Sequence, residues 1–328
     1  MFFHSLFPYL HFDAGCGIII EKAAAEVIIV KRVLVLFEIL MLMTCLMGCA
    51  ERRTTSPPPV LEHIIEVGGL MTSCTFDGVQ HDIITDLPEN TQNAPLVVML
   101  HGYGDTADNF RNSVRFHERA NEEGYAVVYV TGACDPDDRT SSNCWTSWDD
   151  GTGNDDLGFL RALAKHLQER YGLDPGRTYA VGFSNGAFMA HRLAAQAGDT
   201  YSAVVSVSGM MQQSVWKKRP ETNNEGVFQL TGEKDDVVPK KSDGSADHAS
   251  APAIEDVMIY WAESDGLELT EILEIGKGSQ LKKYTGSSGR QVWDLFIKDG
   301  RHTWKWSDND INGIDTTELI LEFLDAQS

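Results

Sequence analysis

Gly182-Phe183-Ser184-Asn185-Gly186 sets a serine between two glycines, and its flanks decide what that serine can do. Thr178–Val181 before it reads as a strand, and Gly186–Ala197 after it as a helix. A sharp strand-to-helix turn needs small residues on either side, and it lifts the Ser184 hydroxyl clear of the sheet. The helix start leaves free backbone N–H groups near any oxyanion that develops on an attacked carbonyl. The chemistry implied is nucleophilic attack by Ser184, provided a base and an orienting acid are within reach.

Two later segments supply them. Thr231-Gly232-Glu233-Lys234-Asp235-Asp236-Val237-Val238-Pro239 follows an apolar run at Gly226–Leu230, and Lys298-Asp299-Gly300-Arg301-His302-Thr303-Trp304 follows another at Gln291–Ile297. Serine, acid, histidine is one of the chain orders in which a nucleophile triad occurs. In that order His302 takes the Ser184 proton, and Asp235 holds the imidazole in the right tautomer. Asp236 competes as the acid. His248 competes as the base, but its loop begins too soon after the acid and no strand precedes it. His101-Gly102-Tyr103-Gly104 follows a strand at Leu96–Leu100, where a second oxyanion donor originates. The backbone N–H groups of Tyr103 and Asn185 are therefore the oxyanion candidates, and His101 itself reads as a turn residue. Trp145, Trp148 and Trp304 are candidates to line a cleft for an apolar polymer or an aromatic acyl group.

These segments need a scaffold that brings strand ends together. Leu96–Leu100 and Tyr125–Val130 are continuous apolar runs, as in strands buried on both faces. Asp156–Tyr171 reads as a helix with Leu157, Leu160, Ala164, Leu167 and Tyr171 on one face. Further strands are expected at Ser202–Val207, Gly226–Leu230 and Gln291–Ile297. A last helix begins near Asp315, with Glu318 completing a capping box. Strand alternating with helix implies a mostly parallel central sheet with helices on both faces.

From about Ser73 to Ala326 the chain resembles the polyhydroxybutyrate depolymerase and feruloyl esterase branch of the α/β-hydrolases. The resemblance rests on His101-Gly102, on Cys144-Trp145-Thr146-Ser147-Trp148, and on Asp155-Asp156 through Ser208-Gly209. It also rests on Thr231 to Asp235 with Val238-Pro239, and on Gly300-Arg301-His302-Thr303-Trp304. It picks Asp235 over Asp236. Thr231, Glu233, Arg301 and Lys305 depart from the branch's usual His, Thr, Gly and Pro. The resemblance implies an α/β-hydrolase fold and a serine esterase that needs no cofactor and no metal. Its substrates would be polyester, feruloyl or acetyl-polysaccharide esters. A catalytically inactive hydrolase-fold binding protein and a serine peptidase are the alternatives.

Composition is that of a globular chain: 42% of residues are hydrophobic and 23% charged, which excludes wholesale disorder. Against 27 Lys+Arg stand 48 Asp+Glu, for a net charge of −21. Nucleic acid and anionic lipid surfaces are poor partners for such a chain, and a neutral ester, small or polymeric, suits it. Lys31-Arg32, the apolar run Val33 to Met47 and Gly48-Cys49 fit an export signal. At about 15 residues the run is shorter than the roughly 20 needed to span a bilayer. Leu46-Met47-Gly48-Cys49 resembles a bacterial lipobox, in which Cys49 takes lipid and anchors the protein at the cell envelope; an ordinary cleaved signal, leaving a periplasmic or extracellular protein, and an N-terminal anchor are the alternatives. Residues before Lys31 fit no export template, and one explanation is a translation start near Val30. The expected division is an export signal over 1–48, a tether over 49–72 that contains Ser56-Pro57-Pro58-Pro59, and a catalytic domain over 73–328. Cys134 and Cys144 bracket a short loop and are the candidate disulfide, worth about 2–3 kcal/mol if unstrained. Asp308 to Gly313 starts like a calcium loop, but Leu319 stands where a bidentate Glu is wanted.

Overall fold

The apolar runs of the sequence form buried strands. A computed structural model describes residues 60–133, 143–238, 240, 252–304, 310–311 and 313–327. The export signal, Cys49, Cys134, His248, Lys305 and the start of the calcium-like loop lie outside those residues.

The chain enters through three strands, β1 (Glu62–Gly68), β2 (Met71–Phe76) and β3 (Val79–Asp86). Asp77 and Gly78 join the last two with φ of 48° and 80°, the positive pair that a two-residue hairpin requires. Next come β4 (Leu96–Leu100), β5 (Ala126–Val130), β6 (Thr178–Phe183), β7 (Ala203–Val207) and β8 (Gly226–Gly232). β9 (Glu268–Ile275), β10 (Ser279–Thr285) and β11 (Gln291–Ile297) complete an eleven-stranded sheet of order β1-β2-β3-β5-β4-β6-β7-β8-β11-β10-β9. A small hairpin, β12 (Asp310–Ile311) with β13 (Ile314–Asp315), stands apart from it.

The centre, β5-β4-β6-β7-β8-β11, is parallel throughout. Both flanks are antiparallel. The expectation of a mostly parallel sheet is therefore corrected to a mixed one. The two edges, β1 and β9, are exposed almost throughout, so they carry no continuous apolar run to announce them. β1 and the start of β2 also occupy residues 62–72, inside the segment expected to be tether.

Alternate residues of each central strand feed two cores. Leu96, Val98 and Leu100 face one, together with helices α3 (Asp156–Tyr171), α4 (Asn185–Gln196), α5 (Gln213–Lys218) and α6 (Ile254–Ser264). Val97 and Met99 face the other, with α1 (Ala107–Val114), α2 (Phe116–Glu122) and α7 (Thr316–Asp325). This two-residue alternation is what a strand covered on both faces requires. The buried stripe of α3 is Phe159, Leu160, Leu163, Ala164 and Leu167. Leu157 and Tyr171 sit only at its margin. α7 begins as its capping box predicts, with Asp315 accepting from Glu318 N–H at 3.0 Å. Because β4, β6, β8 and β11 are parallel, the loops that follow them all emerge at one edge of the sheet.

Candidate active site

Ser184 occupies the turn between β6 and α4 with φ +50° and ψ −117°. A side-chain-bearing residue is strained there, as a nucleophile turn requires. The flanking glycines make the turn possible. A Cβ on Gly182 would lie 2.1 Å from the Gly186 carbonyl oxygen, and one on Gly186 would lie 2.1 Å from the Leu100 carbonyl oxygen. Ser184 N–H donates to Val207 O at 2.9 Å, and its carbonyl accepts from Ala187 and Phe188 at the start of α4.

The Ser184 hydroxyl lies 3.0 Å from His302 Nε2, and His302 Nδ1 lies 2.9 Å from Asp235 Oδ2. A carboxylate can only accept, so Nδ1 carries the ring proton and Nε2 is left to accept from Ser184. The other oxygen of Asp235 accepts from Val237 N–H at 2.9 Å and Val238 N–H at 2.8 Å, which pins the carboxylate in its loop. Burial opposes the charge on Asp235. The hydrogen bonds from His302 and from those two amides outweigh it and hold its carboxyl below the usual carboxylate range. Asp236, the competing acid, points into solvent.

The acid and histidine loops are laced together. Glu233 N–H donates to Ile297 O at 2.9 Å, and Lys234 N–H donates to Gly300 O at 2.7 Å. Lys298 pairs with Glu233 at 2.7 Å, and Lys234 pairs with Asp299. Gly232 and Gly300 touch, and a Cβ on Gly232 would lie 2.6 Å from the Gly300 oxygen.

The His101–Tyr103 turn abuts the nucleophile, since a Cβ on Gly102 would lie 3.5 Å from Ser184 Cβ. Neither Tyr103 N–H nor Asn185 N–H has a hydrogen-bond partner among the described residues. His101 is buried and neutral. Its Nδ1–H donates to Gly102 O at 2.6 Å, its Nε2 accepts from Gly132 N–H at 2.9 Å, and burial lowers its pKa. It shapes the turn, as its position after β4 implies.

A family model described as "Esterase PHB depolymerase" matches residues 87–266, more than half of the chain. The chain belongs to that esterase family. The match ends before His302, so the histidine is tied to the site by geometry alone. Curated relatives include NocK of Nocardia uniformis subsp. tsuyamanensis, 31% identical over 173 residues, which cover 51% of this chain and 47% of NocK. Feruloyl esterase B of Thermothelomyces thermophilus is 28% identical over 123 residues, 36% of this chain and 40% of that protein. The chain thus spans less than half the length of these relatives. An acetyl xylan esterase from Aspergillus awamori superposes with a TM-score of 0.53 at 15% identity, covering 75% of this chain and 94% of the other. That likeness is one of fold, and it gives the sheet its class: the fold is that of the α/β-hydrolases.

In this member of the esterase family, two of the three candidate lining tryptophans are buried. Trp145 is fully buried, its indole N–H donating to His101 O at 3.1 Å. Trp304 is buried in the second core, edge-on to Phe110. The expected place of Trp145 in a cleft is corrected, since its ring is packing, which spacing along the chain cannot reveal; Trp304, though nearly buried, borders a small cavity with Ser208, Arg301 and Thr303. Trp148 alone is half-buried, and its N–H donates to Thr152 Oγ1 at 2.9 Å. Cys144 is disulfide-bonded while Cys74 is a buried free thiol, and the expected partner Cys134 lies outside the described residues. The side-chain hydrogen bonds of Asn185 to Trp145 and of Asp156 to Thr146 were not read from the sequence, although Asn185 lies in the serine turn and Asp156 in a stretch that carries the family resemblance. A carboxylate at the first position of a helix reads from sequence as a dipole partner, and only the fold shows it buried.

Proposed function

We propose that the chain is an exported serine esterase in which Ser184, His302 and Asp235 are the catalytic residues. The observation that carries this reading is the continuous hydrogen-bonded line from Asp235 through His302 to Ser184 Oγ. Ser184 Oγ attacks the ester carbonyl carbon while its proton passes to His302 Nε2. The oxyanion is held by Tyr103 and Asn185 N–H, donors that have no hydrogen bond among the described residues to give up first. The C–O bond to the alcohol then breaks, His302 returns the proton to the leaving oxygen, and an acyl-serine remains. Water repeats the sequence with His302 as base, releasing the acid.

Neutral carboxylic esters of the polyester, feruloyl or acetyl-polysaccharide kind are the proposed substrates. The family's description and the feruloyl esterase relative support that class. Export is supported by Lys31-Arg32 with the apolar run to Cys49, and by the disulfide at Cys144, which persists in oxidising compartments. Labelling with a fluorophosphonate probe tests the core of the proposal: Ser184→Ala must abolish it, together with ester hydrolysis across a panel of those classes. A wild-type protein that neither labels nor hydrolyses any of them would be a binding protein on a hydrolase frame instead.

A further inference from the structure

Hydrogen bonds from four directions converge on one short strap, Trp145–Thr146. On the nucleophile side, Asn185 Oδ1 accepts from Trp145 N–H at 2.7 Å and Asn185 Nδ2 donates to Trp145 O at 3.2 Å. The same side chain thus grips both groups of one residue, directly beside Ser184. On the other side, the Trp145 indole donates to His101 O, in the turn that carries Tyr103. The strap therefore joins the two turns that carry the proposed oxyanion donors. Its far end is held by Asp156 Oδ2, which accepts from Thr146 N–H at 2.6 Å, and by Arg192 Nη1, which donates to Thr146 O at 2.6 Å.

Asp155, not Asp156, caps α3, accepting from Gly158 N–H at 2.9 Å. Asp156 is fully buried, and its Oδ1 has no partner among the described residues. Stability alone favours an apolar side chain over a buried carboxylate so poorly satisfied. We infer that Asp156 is a positioning residue for the oxyanion pocket, fixing through Thr146 the strap that sets the spacing of the Asn185 and Tyr103 amides. The inference rests on the serine-esterase reading of Ser184.

The test compares kcat and KM on a soluble neutral ester for wild type, Asp156→Ala, Asp156→Asn, Asn185→Ala and the double alanine variant. Loss of the strap displaces donors that act only in the transition state. Asp156→Ala should therefore lower kcat by about 10- to 100-fold with KM within about twofold. Asp156→Asn keeps an acceptor for Thr146 N–H and should stay within about threefold of wild type, because a neutral hydrogen bond suffices to hold the strap. The double variant should lose little more than the worse single one, since both cut the same link. Wild-type kcat in a folded Asp156→Ala, a loss confined to KM, an asparagine variant as damaged as the alanine one, or fully additive losses would each overturn the inference. Should Asp156→Ala not fold, Asn185→Ala cuts the strap from its other end, and an unchanged kcat there overturns it equally. Activity surviving in Ser184→Ala would sink the esterase reading instead, whereas an inert Ser184→Ala beside a fully active Asp156→Ala sinks only this step.

Discussion

Asp235 and Asp236 are neighbours in sequence, yet one carboxylate is buried against His302 and the other faces water. Asp235→Asn should reduce turnover by about 10⁴-fold, because the imidazole is then held in the wrong tautomer. Asp236→Asn should stay within a few-fold of wild type, and steady-state kinetics on any hydrolysed ester would show a reversal at once. Ser184→Ala and His302→Ala should each cost about 10⁴-fold or more, and not additively, since the pair acts as one unit. Burial pushes the Asp156 carboxyl up to about 7, against the pull of the Thr146 amide and the nearby Arg192 charge, with Asp155 reinforcing the rise. A carboxyl raised in the folded state binds a proton that the unfolded chain has already lost, so it lowers stability as pH climbs from about 4 to about 7. Urea unfolding at pH 5 and pH 8 should therefore show Asp156→Asn gaining on wild type at the higher pH. A parallel shift of both proteins would mean that Asp156 is ionised throughout. The juxtaposition of Ser184, His302 and Asp235 was legible in the sequence because each follows a strand and the chain order is restrictive. Trp145 and Trp304 were not, because an indole's burial is a property of the packed fold and leaves no mark on spacing.

At the level of elements, the site depends on how closely β4, β6 and the start of α4 approach one another. Gly182 and Gly186 are equally tight, and at Gly186 the Leu100 backbone stands where its Cβ would be. Gly186→Ala should cost more than about 3 kcal/mol, beyond the usual range for a point change, because backbone rather than a flexible side chain must move. Thermal unfolding would register this as a large fall in midpoint or as loss of soluble protein, and a near-wild-type midpoint would mean that the turn has slack. The central strands were readable because burial on both faces demands unbroken apolar runs such as Leu96–Leu100. The flanks were not. β9 reads Glu-Leu-Thr-Glu-Ile-Leu-Glu-Ile, with glutamates spaced at three, and it is held by pairing to β10 rather than by burial of its side chains. β1 is likewise held by its ladder to β2, with an exposed Glu66–Arg170 pair at 3.6 Å beside it. Edges of this kind are decided by a neighbour distant in sequence, which local pattern does not contain.

Over the whole molecule, the proposed function makes location and charge the two controls on which esters would reach Ser184. If Cys49 carries the lipid, Cys49→Ala should move the protein from the membrane fraction to the soluble one with the same kcat. Wild-type protein found soluble and unlipidated would defeat the anchor. Acidity belongs to the folded part, since Asp13, Glu21, Glu26 and Glu38 within residues 1–48 are nearly matched by Lys22, Lys31 and Arg32. The lysines nearest the triad do not reverse that field locally: Lys298 is engaged by Glu233 and Lys234 by Asp299. An anionic ester therefore approaches against the net charge of −21, whereas a neutral ester of the same size does not. The repulsion reaches about 30 Å at 0.01 M salt and about 8 Å at 0.15 M. It acts on the encounter rather than on the chemical step, so kcat/KM should carry the effect and kcat should not. For a carboxylate-bearing ester, kcat/KM should rise several-fold between those two salt concentrations, while its neutral counterpart stays flat. A flat or falling response of the anionic ester would mean that a local cationic feature of the rim outweighs the field of the whole domain.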